Sequence, residues 1–163
     1  MAYVHLAHDS EVGSHTILAN MVTLAGHVAI HDHVILGGGT MVHQYCRVGT
    51  HAFTAGGTIV LRDVPPFVMA SGNSAEPHGI NIEGLKRRGF STGAMEQIRR
   101  AYKTLYKSGL SLEQAKQALH EQIADCPELA ILVEFLESSK RSIIRGAAMG
   151  DRPDGKTRMA LVA

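Results

Sequence analysis

Histidine carries most of the chemistry available to this chain, and its placement is uneven. Eight of the ten histidines lie within the first 51 of 163 residues. Counted on an eighteen-residue period, His8, His27 and His43 fall at positions eight, nine and seven, with His5 just upstream of His8. Asp9 follows His8 directly, and a carboxylate beside an imidazole orients the ring and raises its pKa. A neutral imidazole near physiological pH suits the removal of a proton from a hydroxyl group. The same residues also read as plain surface histidines. A second set, His15, His33 and His51, recurs every 18 residues and predicts a ladder along one outward corner. Three imidazoles along one face give poor tetrahedral geometry, and no cysteine or carboxylate completes them. That ladder reads as a polar corner, and no metal or cofactor is expected.

The period that groups these histidines comes from the apolar residues between them. Leu6, Val12, Leu18, Leu24, Ile30, Leu36, Val42, Val48, Thr54 and Val60 stand six apart, and nine of the ten are aliphatic. The next residue is usually tiny: Ala7, Gly13, Ala19, Ala25, Gly37, Gly49 and Ala55. A period of six is neither helical nor simply alternating, so it predicts a solenoid of short strands and turns. Three hexads close one triangular coil of a parallel β-helix, which stacks residues eighteen apart at roughly the 4.8 Å strand spacing. The aliphatic column forms the core, and the small residues are expected to let the chain bend at the corners. Residues 4–61 supply about three coils. The period does not specify their hand.

The repeat is expected to stop at Asp63-Val64-Pro65-Pro66, because proline removes ladder donors. This places a β-helix over residues 1–64 and a connecting loop over 65–90. Helical patterning then covers 91–145. Ser91 caps a helix to about Lys107, Ser111 and Gln114 form a capping box to a second, and Pro127 occupies the first turn of a third. Residues 146–163 lack apolar periodicity and are expected to be disordered.

Net charge is +1, which predicts no broad field for nucleic acid. Residues 1–60 carry only Asp9, Glu11, Asp32 and Arg47 among their charged groups. A prism with so few charges predicts burial against other subunits. Cys46 and Cys126 have no CxxC spacing, and Cys46 falls in an inward column, so a reducing compartment is expected. Neither a signal peptide nor an apolar run of membrane-spanning length is evident, and the expected location is the cytoplasm.

Several strings carry a specific resemblance: Ala7-His8-Asp9, Leu24-Ala25-Gly26-His27-Val28, Val42-His43-Gln44, Asp63-Val64-Pro65-Pro66, and Asn81-Ile82-Glu83-Gly84-Leu85-Lys86-Arg87-Arg88-Gly89-Phe90. Over residues 3 to about 145 the chain resembles the acyl-[acyl-carrier-protein]–UDP-N-acetylglucosamine O-acyltransferases, which begin lipid A biosynthesis. The last string is the most selective. The resemblance implies a left-handed parallel β-helix with a C-terminal helical domain, a homotrimer, and active sites between subunits. It implies His8 as general base on the glucosamine 3-hydroxyl, supported by Asp9, with acyl carrier protein delivering an (R)-3-hydroxyacyl thioester. Gly26 would offer its N–H to the developing oxyanion. His5, His27, His43 and Gln44 would line the sugar and acyl pocket. Asn81 and Glu83 would contact uridine, and Arg87, with Arg88, the diphosphate. Gly56 matches the position that limits acyl length, though a turn glycine reads as well there.

Members of this family carry further coils ahead of the residue equivalent to Met1, which supply the opposite wall of the cleft. The chain therefore reads as the C-terminal part of such an enzyme, with an unpaired sheet edge on its first coil. Two other functions are compatible with the residues. One is a truncated, weakly active or inactive oligomeric scaffold that binds UDP-sugar or acyl carrier protein. The other is a different sugar acyltransferase, such as the N-acyltransferase acting later in the same pathway. The Asn81–Phe90 string argues against the latter.

Overall fold

A computed structural model describes residues 1–145. The tail at 146–163, expected to be disordered, lies outside the described residues. Ten two-residue strands build the solenoid: β1 (His5–Leu6), β2 (Glu11–Val12), β3 (Ile17–Leu18), β4 (Thr23–Leu24), β5 (Ala29–Ile30), β6 (Ile35–Leu36), β7 (Met41–Val42), β8 (Arg47–Val48), β9 (Phe53–Thr54) and β10 (Ile59–Val60). They sort into three parallel sheets, β1-β4-β7-β10, β2-β5-β8 and β3-β6-β9. Register is eighteen residues throughout, as in Leu6↔Leu24, Leu24↔Val42 and Val42↔Val60. The architecture is a left-handed parallel β-helix followed by C-terminal helices. Three coils are complete and β10 opens a fourth.

The inward column is the core. Leu24, Ile30, Leu36, Val42, Val48 and Val60 are buried, while Leu6 and Val12 in the first coil have a neighbour on one side only and stay exposed. The corners are made differently from the sequence expectation. The left-handed backbone falls at Tyr3, Asp9, His15, Met21, His27, His33, Gly39, Tyr45, His51 and Gly57, two residues after the repeat position that small side chains usually hold. Aspartate and histidine tolerate this region better than most residues. The small residues have another cause: a Cβ on Gly37 would lie 2.6 Å from the Gly56 nitrogen in the next coil. Close stacking, not bending, demands glycine there, as it does at Gly13 and Gly49.

The sheet also continues past the prolines. Pro65 and Pro66 are buried at a corner over Gly49, where a Cβ would meet Pro66 at 2.5 Å. Val64 pairs with Val48, and β11 (Val68–Ser71) lies parallel to β9 through Met69↔Phe53 and Ala70↔Thr54. The prolines are tolerated because the corner uses their neighbours' groups: Val64 carbonyl accepts from Gly49, and Phe67 N–H donates to Thr50 carbonyl. The segment read as a connecting loop also holds β12 (Glu76–Ile80), antiparallel to β11, and the short helix α1 (Ile82–Arg87).

Beyond it lie α2 (Thr92–Lys107), α3 (Leu112–Gln122), a 3₁₀ turn at Pro127–Leu129, and α4 (Ala130–Glu137). The Ser91 hydroxyl accepts from Ala94 N–H, and the Ser111–Gln114 capping box is present in both directions. Buried Asp63 joins these helices to the solenoid. It accepts from Arg47 N–H and Nε and from Ser139, while the Arg47 guanidinium lies 4.3 Å from the Phe135 ring centre and donates to Phe135 carbonyl. No described helix is long and apolar enough to cross a membrane.

Candidate active site

The corner between the β1 and β2 sheets stacks three neighbouring columns from successive coils. The left-handed column is Asp9, His27 and Tyr45; beside it run His8, Gly26 and Gln44, then Ala7, Ala25 and His43. His8 Nδ1 lies 2.9 Å from Asp9 Oδ2, and His27 Nε2 lies 3.7 Å from the same oxygen. The two imidazoles meet edge to face with centres 5.0 Å apart, and His27 stacks on Tyr45 at 4.7 Å. Side chains are open to solvent, at 73% for His8, 66% for Asp9 and 41% for His27. The hydrogen bond from His8, then the charge on His27, hold Asp9 below the usual carboxylate range.

Gly26 is buried under the His8 ring. A Cβ there would lie 2.6 Å from both His8 Nε2 and Cε1, so only glycine lets the imidazole rest on the chain. Gly26 carbonyl accepts from Tyr45, while its N–H has no acceptor among the described residues. Two groups complementary in chemistry therefore sit together: an imidazole oriented through Nδ1, and a main-chain donor beside its Nε2. Such a pair can deprotonate a hydroxyl and stabilise an oxyanion. His43 and Gln44 are exposed one coil on, and His43 Nδ1 lies 3.1 Å from Gln44 carbonyl. Arg141 donates to that same carbonyl from the C-terminal segment. His5 is exposed on β1.

The other expected site residues lie on the next corner, between the β2 and β3 sheets. There His15, His33 and His51 stack ring on ring with centres 4.9 and 4.8 Å apart, and Phe67 continues the column 5.8 Å from His51. Phe90 packs edge-on against both His51 and Phe67. Burial, then the charges of His33 and Arg88, push the His51 pKa down to about 4. Asn81 is buried here and both ends of its amide are used within the chain. Its Nδ2 donates to His51 carbonyl and its Oδ1 accepts from Gly84 N–H, capping α1. Glu83 and Arg87 are exposed on α1, with Arg88 half-buried at its end.

Gly56 belongs to the third corner. Gly57, not Gly56, has the left-handed backbone, and a Cβ on Gly56 would meet only Gly38 carbonyl at 3.4 Å. Backbone geometry does not require glycine at that position. Sequence reasoning missed Tyr45 and Arg141. Tyr45 was detectable, since it shares the register of Asp9 and His27; Arg141 reaches Gln44 across 97 residues with no pattern to announce it.

Residues 63–144 match the family profile described as UDP-N-acetylglucosamine O-acyltransferase, domain 2. The chain belongs to this family. It is 57% identical over 149 residues to the acyl-[acyl-carrier-protein]–UDP-N-acetylglucosamine O-acyltransferase of Janthinobacterium sp. (strain Marseille), covering 89% of this chain and 57% of that one. A relative of the same name from Burkholderia thailandensis is 53% identical with the same coverage. Among solved structures, the UDP-N-acetylglucosamine acyltransferase of Francisella novicida superposes with a TM-score of 0.88 at 44% identity, over 90% of this chain and 54% of that one. LpxA from Acinetobacter baumannii gives 0.84 at 46% identity, over 87% and 55%. The chain thus spans a little over half the length of these family members.

Proposed function

We propose that this chain transfers an (R)-3-hydroxyacyl group from acyl carrier protein to the 3-hydroxyl of UDP-N-acetylglucosamine, the first step of lipid A biosynthesis. The observation that carries this reading is the His8–Asp9 contact at 2.9 Å with His8 lying over Gly26, in a chain 57% identical to a relative of that name. Asp9 accepts the Nδ1 proton and leaves the Nε2 lone pair free to take the proton of the sugar hydroxyl. The resulting oxygen attacks the thioester carbonyl, and Gly26 N–H donates to the tetrahedral oxyanion. Collapse expels the carrier thiolate, which takes the proton back from Nε2.

His5, His27, His43 and Gln44 line the sugar and acyl side of this site. Glu83 serves the uridine and the Arg87 and Arg88 guanidiniums the diphosphate, while Asn81 serves them by seating α1. Gly56 leaves space that bears on acyl length. One chain holds the base and the nucleotide residues on different corners, and exposed Met21, Met41 and Tyr45 flank the solenoid. Both facts support a homotrimer with sites shared between subunits. Buried, unpaired Cys46 and Cys126 support a reducing compartment, the cytoplasm.

The test follows thioester consumption with acyl carrier protein as donor. Turnover that requires UDP-N-acetylglucosamine and yields the 3-O-acyl product is expected. Binding of the nucleotide sugar without turnover would favour the scaffold reading.

A further inference from the structure

The His8 corner also presents a set of metal-ligand atoms. His8, Asp9 and His27 each offer one ligand atom, all within 4.8 Å of one another, and His8 Nδ1 and His27 Nε2 stand 2.9 and 3.7 Å from Asp9 Oδ2. Ligands held at about 2.0–2.2 Å around a tetrahedral ion stand roughly 3–3.6 Å apart, so only small side-chain rotations would gather all three. We infer that this corner binds a divalent ion of the zinc class, and that the ion acts as an inhibitor and not as a cofactor.

The donor set selects the ion. Two imidazoles and one carboxylate suit zinc and its late first-row neighbours, whereas magnesium and calcium require oxygen ligands. The site is also partly preorganised. Asp9 and His27 occupy successive left-handed corners one coil apart, and His27 N–H donates to His8 carbonyl at 3.0 Å. Tyr45 holds the His27 ring flat by stacking at 4.7 Å with planes 5° apart. His8 rests on Gly26 with its Nδ1 already 2.9 Å from Asp9 Oδ2.

Inhibition follows from the tautomer. Without the ion, Asp9 accepts the Nδ1 proton and the Nε2 lone pair is free. An ion bound at Nδ1 takes that lone pair, the imidazole keeps its one proton on Nε2, and Nε2 has nothing left to accept a proton with. Asp9 is simultaneously drawn onto the metal. The proton balance is simple: whichever of Nδ1 and Nε2 held the ring proton, the bound form carries it on Nε2, and any second proton leaves to solvent. The inhibitory half rests on the role proposed for Nε2. Ion binding does not.

Zinc is therefore titrated into the full chain by calorimetry and against a zinc-sensitive dye, in a buffer that does not coordinate metals. One saturable micromolar site per chain is expected, insensitive to excess magnesium. Asp9→Asn and His27→Ala should each weaken it at least about tenfold, while His15→Ala and His120→Ala leave it unchanged. No saturable site, or a site that survives the first pair or disappears with the second, would overturn the assignment. Added zinc should also suppress thioester turnover, with recovery on chelation. Binding at this corner with undiminished turnover would keep the ion site, and would remove both the inhibitory role and Nε2 as the base.

Discussion

At the first corner of the prism the left-handed column reads Asp9, His27, Tyr45; at the second it reads His15, His33, His51, Phe67. His27 and His33 share residue type, repeat position and left-handed backbone, yet their environments differ. His27 faces solvent beside Asp9, within reach of His8. His33 and His51 stack face to face, with Nδ1 of each buried and without a hydrogen-bond partner among the described residues. The cause is what covers each corner. Phe67 and Phe90 close over His51, and Asn81 ties α1 to its carbonyl. Among the described residues, nothing comparable lies over His8. A histidine in a solenoid stays open to solvent or becomes a packing unit according to the segments that return to its corner, not according to its place in the repeat.

The sharpest way to break this comparison is to truncate a histidine at each corner. His8→Ala should lower turnover by about 10²–10⁴-fold, the usual value of a general base, with little change in Tm because the side chain is exposed. His51→Ala should do the reverse, lowering Tm through lost stacking while sparing the chemistry at His8. Steady-state rates and thermal melts of both variants check this. Equal loss of activity in the two would place His8 among structural residues.

A smaller effect is expected at the nucleotide side. Arg87→Ala should weaken UDP-sugar binding by about 1.5–3 kcal/mol, the range for a charge-assisted hydrogen bond, read by calorimetry. Mixing His8→Ala chains with Arg87→Ala chains, at a UDP-sugar concentration too low for the Arg87→Ala chain to turn over alone, should restore partial activity if each site draws on two subunits. No recovery in demonstrably mixed oligomers would return both residues to one subunit's site. Asn81→Ala removes the cap of α1 and should cost about 1 kcal/mol of stability, seen in melts, with Arg87-dependent binding weakened indirectly.

A further effect is expected in pH dependence. His51 has a folded pKa of about 4, below its unfolded value, so between roughly pH 6.5 and 4 the unfolded chain binds the extra proton. Its contribution is complete above that window and is lost as pH falls through it. Tm should drop by on the order of 5 °C across the window. His51→Phe should flatten that part of the profile, since Phe67 already holds the same left-handed backbone in that column. A profile unchanged by the substitution would assign the pH response to other groups.

Much of the molecule was legible in its residues. The six-residue period placed every solenoid strand to β10, and the caps at Ser91 and Ser111 placed two helices, because inward packing and capping act over a few residues. The eighteen-residue register also brought His8 and His27 together before any coordinates, since a solenoid converts sequence separation into height. Three things were not legible. The left-handed corners fall two positions beyond the small-residue column, on histidine, aspartate, tyrosine, methionine and glycine, because the small column answers to the coil stacked against it. The sheet passes Pro65-Pro66, because a corner does not need the donors that proline lacks. Asn81 seats α1 against His51, and Arg141 reaches Gln44 from the far end of the described chain. Local periodicity determined the prism and the column each histidine occupies; only tertiary structure decided which corner would be covered, because Asn81 and Phe90, which cover His51, return from 30 and 39 residues away, and nothing in the repeat announces them.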